Sequence, residues 1–226
     1  MIKAIVTDIE GTTTSIDFVY DVLFPYAREH LGAFVRRHAK DLHVASYIQD
    51  VCAQTQETLD IDKVITQLET WMAEDKKVTV LKGLQGLVWE AGYKNGDFTG
   101  HVYADAYENL QAWHDQGLAL YVYSSGSVKA QQLLFGYTRY GDLNPLFSGY
   151  FDTTTGAKTE ASSYQQIALQ AKLPASQMLF LSDIDKELEA AQQAGMHTRW
   201  LVRDCDPDGE AAFQQVRDFN EIKFTV

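Results

Sequence analysis

Short apolar runs that stop abruptly at polar residues punctuate this chain. Five of them read as strands, at about residues 3–7, 118–123, 149–152, 178–182 and 198–202. A strand buried on both faces shows such a near-continuous run rather than alternation. Between these runs the apolar residues fall at helical spacing. Tyr103, Ala106, Tyr107, Leu110 and Trp113 form one set, and Tyr164, Ile167, Ala168 and Ala171 another. Strand and helix in alternation predict parallel βαβ units. The aromatic stripe Tyr103, Tyr107 and Trp113 is expected in the core.

Residues 16–99 break the alternation. Phe18, Val22 and Tyr26, then Leu31, Phe34 and Val35, then Val64, Ile65, Leu68, Trp71 and Met72 all sit at helical spacing. No strand pattern interrupts them. The stretch separates the first strand from the second by far more than an ordinary crossover. It is expected to be a helical cap inserted into an α/β core made of residues 1–15 and 100–226. Tyr93-Lys94-Asn95-Gly96-Asp97 is turn-rich and is the expected return linker.

The composition narrows the partners. The 226 residues carry a net charge of −12. That balance works against nonspecific nucleic-acid binding, which relies on Lys and Arg, and against docking on an anionic membrane. Neither partner is expected, and a monomer is. The two cysteines, Cys52 and Cys205, form no CxxC or Cys/His metal spacing. With no signal-peptide pattern and no run long enough to span a bilayer, a reduced, cytoplasmic protein is expected.

Chemistry enters at the strand ends. The first strand runs into Asp8-Ile9-Glu10-Gly11-Thr12-Thr13-Thr14. In open α/β sheets the crevice outside the carboxyl ends of strands holds the active site. Asp8 there can attack phosphorus and form an aspartyl-phosphate. Glu10 can protonate the leaving oxygen, or its backbone carbonyl can bind a metal. The second strand runs into Ser124-Ser125-Gly126-Ser127, where small residues and a following helix start suit an anion. Lys158, in Gly156-Ala157-Lys158-Thr159-Glu160, can neutralise a phosphate and steady the charge on Asp8. The fourth strand ends in Ser182-Asp183, so Asp183 can share a divalent cation with Asp8. Glu187, one helical turn on, is an expected outer partner.

Each piece alone has a plain structural reading: an acidic strand end before a turn, an N-cap, a solvated lysine. Their succession along the chain, all at strand ends or helix starts, is what points to a site. The six histidines show no HxxxH or HExxH spacing.

In that order the four pieces resemble the motifs of the haloacid dehalogenase-like superfamily. Asp8 to Thr13 is similar to the first motif, Ser124 or Ser125 to the second, Lys158 to the third, and Asp183 with Glu187 to the fourth. Most phosphatases of the superfamily have aspartate where Glu10 stands. Further strings narrow the resemblance to the enolase-phosphatase family of methionine salvage. They are Tyr121-Val122-Tyr123-Ser124-Ser125-Gly126-Ser127-Val128, Leu23-Phe24-Pro25-Tyr26, Leu84-Gln85-Gly86-Leu87-Val88-Trp89 and Gly149-Tyr150-Phe151-Asp152-Thr153.

The resemblance implies a Rossmann-like parallel sheet with an inserted helical cap, and one site that enolises a diketone phosphate and then removes the phosphate. Mg²⁺ is the implied cofactor, held by Asp8, Asp183 and the Glu10 carbonyl. Ser124, Ser125 and Lys158 are implied to hold the substrate. Glu10 or a cap residue would take the carbon-bound proton. Phe18, Phe24 and Trp89 are candidates for the substrate's apolar end and equally for cap core. The motifs alone leave open a capped Mg²⁺-dependent phosphatase of another small organic phosphate, without enolase activity.

Overall fold

The computed structural model of the chain describes residues 1–204, 206–208 and 211–225. Cys205 lies outside the described residues, and Cys52 is a free, half-buried thiol. The chain divides into two units, Met1–Phe18 with Thr99–Val226, and Val19–Phe98.

The first unit is built on a parallel sheet. Its strands are β1 (Ala4–Thr7), β2 (Ala119–Tyr123), β3 (Gly149–Phe151), β4 (Met178–Ser182), β5 (His197–Leu201) and β6 (Gln215–Val216). Their spatial order is β3-β2-β1-β4-β5-β6, all parallel. β1 pairs with β2 on one side and β4 on the other, Val6 lying opposite both Tyr121 and Phe180. Every residue of β1 and of β4 is buried. Both faces are therefore covered, which explains why these strands read as apolar runs. Ala4, Val6, Met178 and Phe180 pack on one face with Tyr164, Ile167 and Leu188. The loops after β1, β2 and β4 leave the sheet at one edge, on neighbouring strands.

Most strand bounds fall within a residue of expectation. β3 ends at Phe151 because Asp152 turns its carboxylate to backbone amides, accepting from Val128 N–H at 3.1 Å and Thr154 N–H at 2.9 Å. β6 is not among the strands the sequence pattern predicts. It is two residues long and has no pattern of its own, and it exists only as a ladder partner of Trp200 and Leu201.

The aromatic stripe requires a correction. In α5 (Ala104–Asp115) Trp113 is buried with Ala106 and Leu110. Tyr103 is instead the helix's N-cap, half-buried beneath a guanidinium, and Tyr107 stacks on Tyr140 with ring centres 4.1 Å apart. Helical spacing identifies a face, but amphipathic tyrosines settle at its rim.

The second unit contains helices and, among its described residues, no strand. A π-helical turn, Phe18–Leu23, whose first residue belongs to the first unit, leads into α1 (Phe24–His38), α2 (Leu42–Thr55), α3 (Ile61–Ala73) and α4 (Thr79–Asn95). Asp60 caps α3 by accepting the Lys63 N–H at 2.9 Å. The helices enclose their own core of Leu31, Val35, Val64, Leu68, Leu84 and Val88. α4 continues through Asn95 and closes at Gly96, left-handed at φ +76°, so the expected linker at residues 93–97 is half helix. Within this unit Phe24 meets Trp89 edge-on at 6.1 Å, and the Trp89 indole donates to the Leu23 carbonyl at 2.7 Å. Phe18, in the first unit, is buried beside His101.

Candidate active site

Asp8 follows β1 directly, and its N–H extends the ladder to the Leu181 carbonyl at 2.9 Å. The chain then closes a tight loop. The amides of Thr12, Thr13 and Thr14 converge on the Ile9 carbonyl, at 3.1, 3.0 and 2.9 Å. Gly11 sits at φ +70°, and a Cβ there would lie 2.2 Å from Asp183 Oδ2. Glycine is thus required for both its backbone and its missing side chain. The close approach places the Asp183 carboxylate, from the loop after β4, against the loop that carries Asp8 and Glu10.

Lys158 stands in a turn before α7 (Ala161–Ala171). Its Nζ lies 2.6 Å from Asp8 Oδ1 and 2.7 Å from Glu187 Oε2. Ser182 Oγ donates to that same Glu187 oxygen at 2.9 Å. Glu187, in α8 (Asp185–Gln193), therefore serves the lysine. On the other side, Ser124 Oγ donates to Glu10 Oε2 at 3.3 Å and accepts the Gly126 N–H at 3.1 Å. Ser124 is buried and Ser125 exposed, which separates two residues that the sequence treats alike. Ser127 caps α6 (Val128–Gly136), accepting from Ala130 N–H at 3.3 Å.

The electrostatics follow from this crowding. Burial raises the Glu10 carboxyl above its usual range, and the charge on Asp8 adds to the effect. Asp183 is pushed up to about 6, first by burial and then by Asp8. Glu187 rises to about 7 for the same two reasons, although Lys158 and Ser182 oppose it. Burial works against the Lys158 ammonium, but Asp8 and Glu187 outweigh it and raise its pKa. One ammonium thus serves four acids.

Asp183 Oδ1 is buried with no hydrogen-bond partner among the described residues. An orphaned carboxylate oxygen among like charges is what a cation would satisfy. No three His, Cys, Asp or Glu side chains form a metal cage among the described residues. The donors fit a hard divalent ion, which needs only one or two carboxylates and completes its shell with water and substrate phosphate.

A family model described as a haloacid dehalogenase-like hydrolase matches residues 2–195. The chain belongs to the haloacid dehalogenase-like hydrolases. It is 56% identical over 227 residues to Enolase-phosphatase E1 of Yersinia pestis (strain Pestoides F), covering 100% of this chain and 99% of that protein. The protein of the same name from Methylococcus capsulatus is 57% identical over 90% of each chain. The crystal structure of the UTR4 protein of Saccharomyces cerevisiae is 33% identical and superposes with a TM-score of 0.83, over 98% of this chain and 100% of that one.

Asp8, Glu10, Ser124, Lys158, Asp183 and Glu187 of this hydrolase come together at the carboxyl edge of β1, β2 and β4. Sequence reasoning missed a second layer behind them. Arg203, two residues past β5, donates from Nε to the Thr12 carbonyl at 2.8 Å. Its two terminal nitrogens each reach an Asp105 oxygen at 3.0 Å, and its guanidinium lies 3.9 Å from the Tyr103 ring centre. Gln131 Nε2 likewise bridges the Gly126 and Phe151 carbonyls, at 2.8 Å each. For Arg203 the available signal is its place just beyond a strand end; for Gln131 there is none.

Lys158→Ala is expected to weaken phosphate release on the order of 100-fold or more in kcat/KM, the usual cost of removing a charged donor from a reacting group. Lys94→Ala removes an exposed lysine paired with Glu90 and should stay within about twofold. Steady-state kinetics on both variants checks this; equal, small effects would return Lys158 to a structural role.

Proposed function

We propose that the protein is a bifunctional enolase-phosphatase. It converts 2,3-diketo-5-methylthiopentyl-1-phosphate to 1,2-dihydroxy-3-keto-5-methylthiopentene and inorganic phosphate, a step of methionine salvage. The observation that carries this reading is the Asp8–Glu10 pair: an acid ion-paired to Lys158 beside a half-buried carboxyl of raised pKa. The pair lies in a chain 56% identical, end to end, to a protein named for both activities.

Glu10 takes the proton from the carbon bearing the phosphate ester and returns it to the neighbouring ketone oxygen, giving the enol phosphate and leaving Glu10 ionised. A carboxyl whose pKa is raised above its usual range suits both directions of this transfer. Asp8 then attacks phosphorus. The bond from phosphorus to the C1 oxygen breaks, and Glu10, reprotonated from solvent after the enolisation, supplies the proton to the leaving oxygen. Water, deprotonated by Glu10, cleaves the aspartyl-phosphate and regenerates Asp8. Lys158 and the Ser124–Ser125 loop hold the phosphoryl oxygens throughout. Mg²⁺ would be held by Asp8, Asp183 and the Glu10 carbonyl, and would supply positive charge to the oxygens of the transferring phosphoryl group and of the diketone.

No helix among the described residues is long and apolar enough to cross a membrane. A small-molecule phosphate as substrate, a cytoplasmic setting and action as a monomer belong to the same reading. Cys52 as a free thiol accords with a reducing compartment.

Substrate and Mg²⁺ are expected to give an enol phosphate before free phosphate, followed by ultraviolet absorbance and phosphorus NMR in a slowed reaction. Phosphate appearing together with unenolised diketone would leave a simple phosphatase.

A further inference from the structure

Lys158 owes its place to a loop that is neither strand nor helix. Three successive carbonyls of that loop each accept a side-chain hydroxyl. Tyr123 Oη donates to Gly156 O at 2.9 Å, Ser163 Oγ to Ala157 O at 2.7 Å, and Tyr164 Oη to Lys158 O at 2.7 Å. All three donors are buried, with Tyr123 and Tyr164 at 0% exposure and Ser163 at 1%. The fit is tight: Gly156 is at φ +145°, and a Cβ there would lie 2.2 Å from Ser163 Oγ.

The hydroxyls are themselves fixed. The Tyr164 ring meets Phe180 edge-on at 4.9 Å and Tyr123 at 5.5 Å. Two phenols in an apolar core keep their O–H groups only with partners, and the partners here are this loop's carbonyls. Tyr123 also precedes Ser124, so one residue joins the serine loop to the lysine loop. The Lys158 ammonium lies 5.9 Å from the centre of the Tyr123 ring.

We propose that Tyr164, with Ser163 and Tyr123, is a positioning residue that sets where the Lys158 ammonium meets the substrate phosphate. This rests on Lys158 as the phosphate holder. The backbone carbonyl that Tyr164 fixes belongs to Lys158 itself. A flexible four-carbon side chain whose root drifts loses its aim before it loses its charge.

The test uses the full chain and inorganic phosphate as the probe, with affinity read by titration calorimetry beside KM and kcat. Tyr164→Phe keeps both ring contacts and removes one hydrogen bond. It is expected to weaken phosphate binding about 5- to 10-fold, the yield of one lost hydrogen bond. In a Lys158→Ala background the same change should cost less than about twofold, because the group being aimed is gone. Equal losses in both backgrounds would make Tyr164 merely structural and overturn the proposal. So would parent-like binding by folded Tyr164→Phe when Lys158→Ala binds weakly. Parent-like binding by Lys158→Ala would instead overturn the phosphate reading of Lys158. Should Tyr164→Phe fail to fold, Ser163→Ala carries the same expectations.

Discussion

Asp8→Asn is expected to abolish phosphate release, on the order of 10,000-fold or more, in a protein that stays folded. The side chain keeps its size, and the backbone bond from Asp8 N–H to Leu181 is untouched. Lys158 loses one of its two anions but keeps Glu187 at 2.7 Å. The charge on Asp8 also raises Asp183 and Glu187, so its removal eases repulsion among the remaining acids. What disappears is the nucleophile, since an amide does not attack phosphorus. Phosphate release is measured beside far-UV circular dichroism, with mass spectrometry to exclude deamidation back to Asp. Near-native turnover by the intact variant would remove Asp8 from the mechanism.

Exhaustive chelation is expected to silence turnover, and Mg²⁺ to restore it. The reason is charge: Asp8, Glu10, Asp183 and Glu187 share a small volume with one ammonium, and Asp183 Oδ1 has no hydrogen-bond partner among the described residues. Ionised together, such groups cost stability unless a cation joins them. Mg²⁺ should therefore also raise the melting temperature of the parent protein, as any ligand that binds only the folded state does. Asp183→Ala should raise the half-saturating Mg²⁺ concentration at least about tenfold and largely remove that thermal shift. Full activity after chelation, or a thermal shift unchanged in Asp183→Ala, would count against a metal at this position.

Much of the candidate site is legible in the sequence, and for a definite reason. In a parallel sheet buried on both faces the strands must be apolar and the chemistry must wait for their ends. Asp8, Ser124 and Asp183 are each the first or second polar residue past such a run, so the sequence marks them by place alone. Lys158 was legible only through its company, because a lysine before a helix is ordinarily solvated.

Consecutive residues suffice to specify the α/β alternation, the long helical stretch between the first two strands, and the acids, serines and lysine that punctuate the strand ends. Local patterns suffice there, because burial on both faces and helical spacing are written in consecutive residues. Where the side chains point depends on the three-dimensional packing. It brought Glu187 to Lys158 rather than to Asp183, buried Ser124 while exposing Ser125, and moved Tyr103 and Tyr107 out of the core. It also joined Arg203 to Thr12, 191 residues away, and set three hydroxyls on three consecutive carbonyls. Those contacts depend on strand order and register, with β4 on one side of β1 and β2 on the other. Pairing between distant segments leaves no periodic trace in either one.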